Sequence, residues 1–510
     1  MNLSKSRYCR GIQCPKILWL DINKSEVRDD SALNQSVLDT GNKVGDLAMG
    51  YYGEYTEVPY SKNKSAMIAE TQRLLTGSAI GDDCPRVICE ASFAHDGNFC
   101  SVDILRVLKD GVEIIEVKSS TEVKPVHYED TAYQYYVLAS GGLNVKKASV
   151  MHINNKYERK GELDLRGLFT VHNCTKKIRS MQADVAANIG NLKVSAAAEA
   201  EPDTEIGEQC FNPYECVYRT WCWRHIPQNS VFDISGHGMR FDKQLSLYRR
   251  GIVSFKQLLE SGEKLGKSAR LQVETQVYNR PPHIDRKEID LFLKTLRYPL
   301  YFLDFETFQE AIPSFDGQRP YMQIPFQYSL HIQETKGGSL RHREFLANSV
   351  GVAEEGTDPR RELAQRLCVD IPKGVCVLAY NMGFEKGRIR ELAEMFGDLS
   401  AHLMKIHDNV KDLMQPFQKR AFYSREMSGS YSIKQVLPAL CPGDAELDYH
   451  ALDLVHDGGE AMTAYVELAG KTPEERKRVR EALLAYCRLD TLAMVRILEK
   501  LYDVKENNYS

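Results

Sequence analysis

Val102-Asp103-Ile104-Leu105 and Ile114-Ile115-Glu116-Val117-Lys118-Ser119-Ser120 are two apolar runs of strand length, each interrupted by charge, in a chain of 510 residues. Side chains alternate along a strand, so Glu116 and Lys118 project from one face. An aspartate from the neighbouring strand completes a pocket of two carboxylates and one ammonium. Hard oxygen ligands of this kind suit Mg²⁺ or Mn²⁺. A lysine beside them can orient a water or stabilise charge developing on phosphorus. Exposed Glu-x-Lys pairs are common where 27% of residues are charged. Here the charges break up Ile, Val and Leu, and unpaired charge is expensive to bury. The chemistry expected is phosphodiester hydrolysis.

The spacing, Asp103 followed by twelve residues and then Glu116-x-Lys118, resembles the PD-(D/E)xK nuclease superfamily. The next stretch, Asp130-Thr131-Ala132-Tyr133-Gln134-Tyr135-Tyr136, resembles the glutamine motif of its RecB-like branch. The resemblance implies a restriction-endonuclease-like fold in which Asp103 and Glu116 hold a metal, Lys118 is catalytic and Gln134 supports them from a flanking helix. Glu70 and Glu90 are candidates for a further acid. Glu70 lies in a helix-like run that suits an exposed position, and Glu90 precedes an apolar strand.

Thirteen cysteines in a chain this long, with no n-region and h-region at its start, read as reduced thiols plus a metal site, not a disulfide scaffold. Cys14 stands near the start, and Cys210, Cys216 and Cys222 follow in CFNPYECVYRTWCW. Zinc usually takes two close cysteine pairs, which this set lacks. Thiolates also favour iron–sulfur clusters. One cysteine before the core and three after it resembles the iron–sulfur subfamily of RecB-like nucleases. That resemblance implies a 4Fe-4S cluster on Cys14, Cys210, Cys216 and Cys222, with a structural zinc as the alternative. Cys9, five positions earlier, competes with Cys14 for the role. The Ala/Glu-rich stretch from Val194 to Glu205 has the composition of a solvated linker.

After Pro299, the strand Leu300-Tyr301-Phe302-Leu303-Asp304-Phe305-Glu306-Thr307 again sets two carboxylates on one face. A second apolar strand over 375–380 runs into Asn381-Met382-Gly383-Phe384-Glu385. In Tyr486-Cys487-Arg488-Leu489-Asp490, Tyr486 and Asp490 share a helix face. In this order the blocks resemble the DEDDy branch of the RNase H-like 3′–5′ exonucleases. The resemblance implies metal on Asp304, Glu306 and Asp490, a catalytic role for Glu385, and a water oriented by Tyr486. Glu385 stands where the family carries aspartate, which keeps the charge and adds a methylene. Asp412 is expected to border this site. The run 429–438 reads as a short capped helix with no assigned chemistry. Together, IIEVKSSTEVK, CFNPYECVYRTWCW, YFLDFETF, IPFQYSL and YCRLDTLAM resemble a little-characterised prokaryotic family that joins the two kinds of domain.

The expected fold class is therefore α/β, in three parts. Residues 1–230 form the iron–sulfur RecB-like domain, 231–298 a helical connector and 299–510 the DEDD domain. Within the connector, Tyr248-Arg249-Arg250-Gly251-Ile252 resembles a hairpin that tracks nucleic-acid backbone, and a plain helical bundle fits equally. Asp285 is expected to cap a helix running to Leu296. No apolar run reaches membrane-spanning length, so a cytoplasmic protein without a membrane partner is expected. The net charge of −4 confines any nucleic-acid footprint to a local patch. The expected activity is metal-dependent hydrolysis of DNA, at single strands or ends, in repair, recombination or anti-phage defence. The alternatives are an RNA-directed exonuclease, a scaffold whose DEDD fold only binds ends, and a single-activity nuclease.

Overall fold

The computed structural model describes residues 2–32, 35–76, 86–235, 238–348 and 358–506. The chain is a mixed α/β protein with two compact units. One comprises Met1–His225 with Glu310–Met322, the other Ile226–Gln309 with Gln323–Ser510. Residues 231–298, expected as a connector, fall within the second unit. No helix among the described residues is long and apolar enough to cross a membrane.

The first unit is built on one sheet of strands β1 (Leu3–Ser4), β2 (Thr56–Glu57), β3 (Arg86–His95), β4 (Asn98–Leu108), β5 (Gly111–Lys118), β6 (Val145–Ile153) and β7 (Phe169–Asn173). Their order is β2-β3-β4-β5-β6-β7, with β1 beside β4. Strands β3, β4 and β5 form an antiparallel meander, and β6 returns parallel to β5. That return needs a crossover, which the helix Pro125–Ser140 supplies. Proline in its first turn and a Lys124–His127 capping box start this helix. Its buried residues Ala132, Tyr133, Val137 and Leu138 join the core on one face of the sheet. On the other face Ile104, Ile115 and Met151 pack with Ala311 from the 310–322 segment. Arg159 fastens that segment through its guanidinium to the Pro313 carbonyl at 2.9 Å, and the Tyr321 hydroxyl donates to the Ser119 carbonyl.

Strand β8 (His283–Ile284) opens the strands of the second unit. The main sheet follows with β9 (Leu300–Phe308), β10 (Ile324–Gln333), β11 (Leu340–Leu346), β12 (Cys376–Ala379) and β13 (Val410–Asp412), and β14 (Phe422–Tyr423) pairs with β8. The order is β11-β10-β9-β12-β13, with β9, β10 and β11 antiparallel and β12 and β13 running parallel to β9. Strand β10 is buried along its whole length. Its Tyr328, Leu330 and Ile332 enter an apolar core with the helix Pro359–Asp370. Among the alternate residues Gln327, Ser329 and His331 are polar and find partners on the long helix Pro473–Lys505. Gln327 donates to the Leu483 carbonyl at 2.8 Å, and His331 meets Thr491 at 2.8 Å, as buried polar groups require. Thr472 and Glu475 cap that helix reciprocally. Asp285 caps Arg286–Leu293, which stops short of Leu296. The hairpin around Gly251 turns between the helices Phe241–Arg249 and Phe255–Glu260, and Gly251 takes the left-handed conformation (φ 77°).

Candidate functional site

In the first unit, β4 and β5 bring Asp103 to the row of Glu116, and Asp103 Oδ2 accepts from the Val117 amide at 2.6 Å. The expected shared face is present: Lys118 Nζ lies 2.6 Å from Glu116 Oε1. The flanking helix adds Asp130 and Gln134, one turn apart. Lys118 pairs with Asp130, and Gln134, fully buried, donates to Glu116 Oε2. Glu90 sits in β3 itself and not ahead of it, opposite Asp103 in register, with a φ of 56°. Burial raises its carboxyl, with Lys5 and Glu116 acting on it in opposite directions. Glu70 points away, paired with Arg73 at 2.5 Å on the surface.

Lys5 enters this centre unannounced. Its ammonium lies 2.9 Å and 3.1 Å from the two Glu116 oxygens and 3.8 Å from both Asp103 and Asp130. Burial alone would raise Glu116, but Lys118 and Lys5 hold its carboxyl well below the carboxylate range. Burial and the Glu116 charge push Asp103 up to about 7. The helix Lys5–Gln13 therefore begins at the acids and ends at Cys14, its C-cap. Cys9, on the same helix, feels the charges of Asp130, Lys118, Lys5 and Glu116. It packs against the apolar core of the first unit, and Cys14, not Cys9, lines the cysteine cavity.

Cys14, Cys210, Cys216 and Cys222 line one small cavity together with Ile17, Leu20 and Tyr218. Gln13 locks the two chain ends there, donating to the carbonyls of Gln209 and Tyr214 at 2.8 Å and 2.7 Å. Burial pushes the Cys216 thiol up to about 12, and the Cys14, Cys210 and Cys222 thiolates add to it. The Val194–Glu205 stretch is largely exposed and irregular after the helix Gln182–Ala196 ends, as its composition suggests. It is nonetheless tied down: Ala198 accepts from the Trp19 indole at 2.8 Å, and Glu201 pairs with Lys16 and Lys24 at 2.8 Å and 2.9 Å. These partners lie on the helix Pro15–Asn23 and its C-cap.

In the second unit Asp304 and Glu306 lie on β9, Glu385 in the first turn of the helix Gly383–Met395, and Tyr486 and Asp490 on the long helix. The structure brings Asp304, Glu306, Tyr486 and Asp490 together, and Glu385 stands at their edge beside Asp412 and Arg388. Burial raises Asp304 and Glu306 well above the carboxylate range, and the Asp490 charge adds to both. Burial pushes Asp490 up to about 6 and Glu385 up to about 8. Glu385 is 2% exposed, its Oε2 has no hydrogen-bond partner, and its charge bears on Asp304 and Glu306. Cys487 Sγ lies 3.7 Å from Asp304 Oδ2, and ligating atoms of Asp304, Glu306 and Cys487 all fall within 4.8 Å of one another. Asp412 borders the centre, accepting from the Asn381 amide at 3.0 Å.

Three residues escaped the sequence reading here. The Tyr449 hydroxyl donates to Asp490 Oδ1 at 2.5 Å, and its ring stands 6.1 Å from that of Tyr486. Lys434, on the helix Ile433–Leu440, lowers Glu306 and Asp490 with its charge, so the run given no chemistry supplies the ammonium. Cys487 had been quoted only as part of the helix motif. Tyr449 and Lys434 also line a cleft of ≈ 690 Å³.

Converging carboxylates of raised pKa, one with an orphaned buried oxygen, fit a divalent cation. In the first centre two ammoniums, Lys5 and Lys118, already stand among the acids as counter-charges. A family model described as a domain of unknown function (DUF2779) matches residues 301–432. That span holds Asp304, Glu306, Glu385 and Asp412 and ends before Lys434, Tyr449 and the long helix. No curated protein matches the chain.

Proposed function

We propose that the chain is a metal-dependent nuclease hydrolysing phosphodiester bonds of DNA at two centres. The first would be an iron–sulfur RecB-like PD-(D/E)xK centre and the second a DEDDy-type RNase H-like 3′–5′ exonuclease. The observation that carries the reading is the gathering of Asp304, Glu306, Glu385 and Asp490, from a strand, the first turn of a helix and the last helix, around one acidic centre. Divalent ions held there would clamp the attacking and leaving oxygens of the displacement. Asp304, Glu306, Glu385 and Asp490 would hold them. Tyr486 would orient the water, Tyr449 fixes Asp490, and the Lys434 ammonium offsets the acids.

In the first centre Asp103 and Glu116 would hold an ion. Lys118 would stabilise charge on the phosphate, and Gln134 fixes the Glu116 carboxylate. The order of these cysteines, one early and three late without a close pair, favours a 4Fe-4S cluster over zinc. The cluster would close the long loop between Cys14 and Cys210.

The test is cleavage of 5′- and 3′-labelled single-stranded DNA, with RNA of the same sequence alongside, in Mg²⁺ or Mn²⁺. Lys118→Ala should leave only 3′–5′ trimming, and adding Asp304→Ala should remove it. Full activity in Lys118→Ala on every substrate would overturn the first centre. Absence of 3′ trimming in that variant would make the second unit a binding platform.

A further inference from the structure

We propose that Cys487 is itself a metal ligand of the second centre, giving it a mixed oxygen–sulfur donor set that takes a thiophilic divalent cation of the Zn²⁺ or Cd²⁺ kind in preference to Mg²⁺. This rests on the second centre being a metal site but not on its cutting nucleic acid. Cys487 follows Tyr486 directly and precedes Asp490 by three residues, so the long helix turns its thiol towards the same acids. The thiol is fully buried. A core cysteine normally packs among apolar groups, whereas the charges acting on this one are those of Asp304, Glu306 and Asp490.

The spacing matches shared coordination. An ion bonded to sulfur at about 2.3 Å and to a carboxylate oxygen at about 2.1 Å in tetrahedral geometry holds the two atoms about 3.6 Å apart. Cys487 Sγ and Asp304 Oδ2 are separated by 3.7 Å. Glu306 completes a set of three within 4.8 Å, and buried Glu385, whose Oε2 has no hydrogen-bond partner, adds its charge to the same acids. A neutral thiol is a weak donor that leaves acids poorly satisfied. Bound to a cation, it contributes a soft ligand of the type that selects against Mg²⁺.

Cadmium titration of the full-length chain, read by sulfur-to-metal charge-transfer absorption and by ¹¹³Cd chemical shift, tests this. Wild type, Cys487→Ser, Cys487→Ala and Asp304→Asn are compared at equal cadmium, so that signal from the first unit's cysteines cancels in the difference. Both cysteine variants should lose one increment of sulfur signal and bind Cd²⁺ about tenfold or more weakly, the loss that even a ligand's outer partner can cause. Their Mg²⁺ affinity should be unchanged, and Asp304→Asn should lose the same increment. Cys487→Ser and Cys487→Ala spectra identical to wild type would overturn the proposal. So would an increment that survives Asp304→Asn, because the thiol would then bind without the acids. Failure of the exonuclease reading is read separately, as absent 3′ trimming while the Cys487-dependent signal persists.

Discussion

The two acidic centres solve the same electrostatic problem in opposite ways. In the first, Lys5 and Lys118 stand among Glu116, Asp103 and Asp130, and Glu116 stays ionised though it is 1% exposed. In the second, Lys434 is the ammonium acting on Glu306 and Asp490, and Asp304, Glu306, Glu385 and Asp490 are all raised. A carboxylate taken out of water needs a counter-charge or a proton. The first centre carries its counter-charge in its own chain. The second leaves its acids with raised pKa values, which favours their protonated forms. Equal acid motifs in sequence therefore do not imply equal demand for metal.

Removing the acid on which the second centre turns should give the largest effect. Asp304→Asn in a Lys118→Ala background should lower 3′-end trimming by about 10³-fold, the scale of a lost transition-state electrostatic contact, in a single-turnover assay. Residual trimming within tenfold would erase the distinction between the centres. Next comes Lys5→Met, which leaves Glu116 with Lys118 and Gln134 but returns the like-charge repulsion with Asp103 and Asp130. Because Lys5 is a quarter exposed, the metal-free protein should lose about 1–3 kcal/mol. Mn²⁺ should restore more melting temperature in this variant than in wild type. Equal Mn²⁺ shifts in the two proteins would show that the lysine and the ion do not share the acids.

The comparison also has a pH signature. Unfolded carboxyls ionise near about pH 4, whereas folded Asp490 and Glu385 hold protons to about 6 and about 8. The folded state then binds more protons through that window, so the metal-free second unit should lose stability as pH rises from about 4 to 8. Saturating divalent ion should flatten the slope, as read by chemical denaturation across pH. A metal-free slope of the opposite sign would contradict the raised acids. The smallest effect is expected from Tyr486→Phe, which removes a hydroxyl and no ligand. It should slow trimming by roughly tenfold to a hundredfold while cation affinity measured by calorimetry stays within error.

Much of each centre was legible because the relevant information is local. Alternation along a strand put Glu116 with Lys118 and Asp304 with Glu306, and helical spacing put Tyr486 with Asp490. Glu385 was legible only through the resemblance of its block to a family motif. Periodicity is a property of consecutive residues, so the chain alone determines which side chains share a face. It also determined the order of the cysteines, one early and three late.

Which faces meet was decided by the tertiary structure. Lys5 reaches Glu116 across more than a hundred residues, and Tyr449 and Lys434 reach the second centre from segments with no distinguishing pattern. Cys9 and Cys14 lie five residues apart and look interchangeable in sequence. More than a full turn of the helix Lys5–Gln13, and its C-cap, send one to the apolar core and the other to the cysteine cavity. Glu201 looks like linker charge until the fold sets Lys16 and Lys24 beside it. Such pairings come from the closing of long loops and the docking of helices on sheets. Their cost and reward depend on the whole packed unit, so no short stretch of sequence records them.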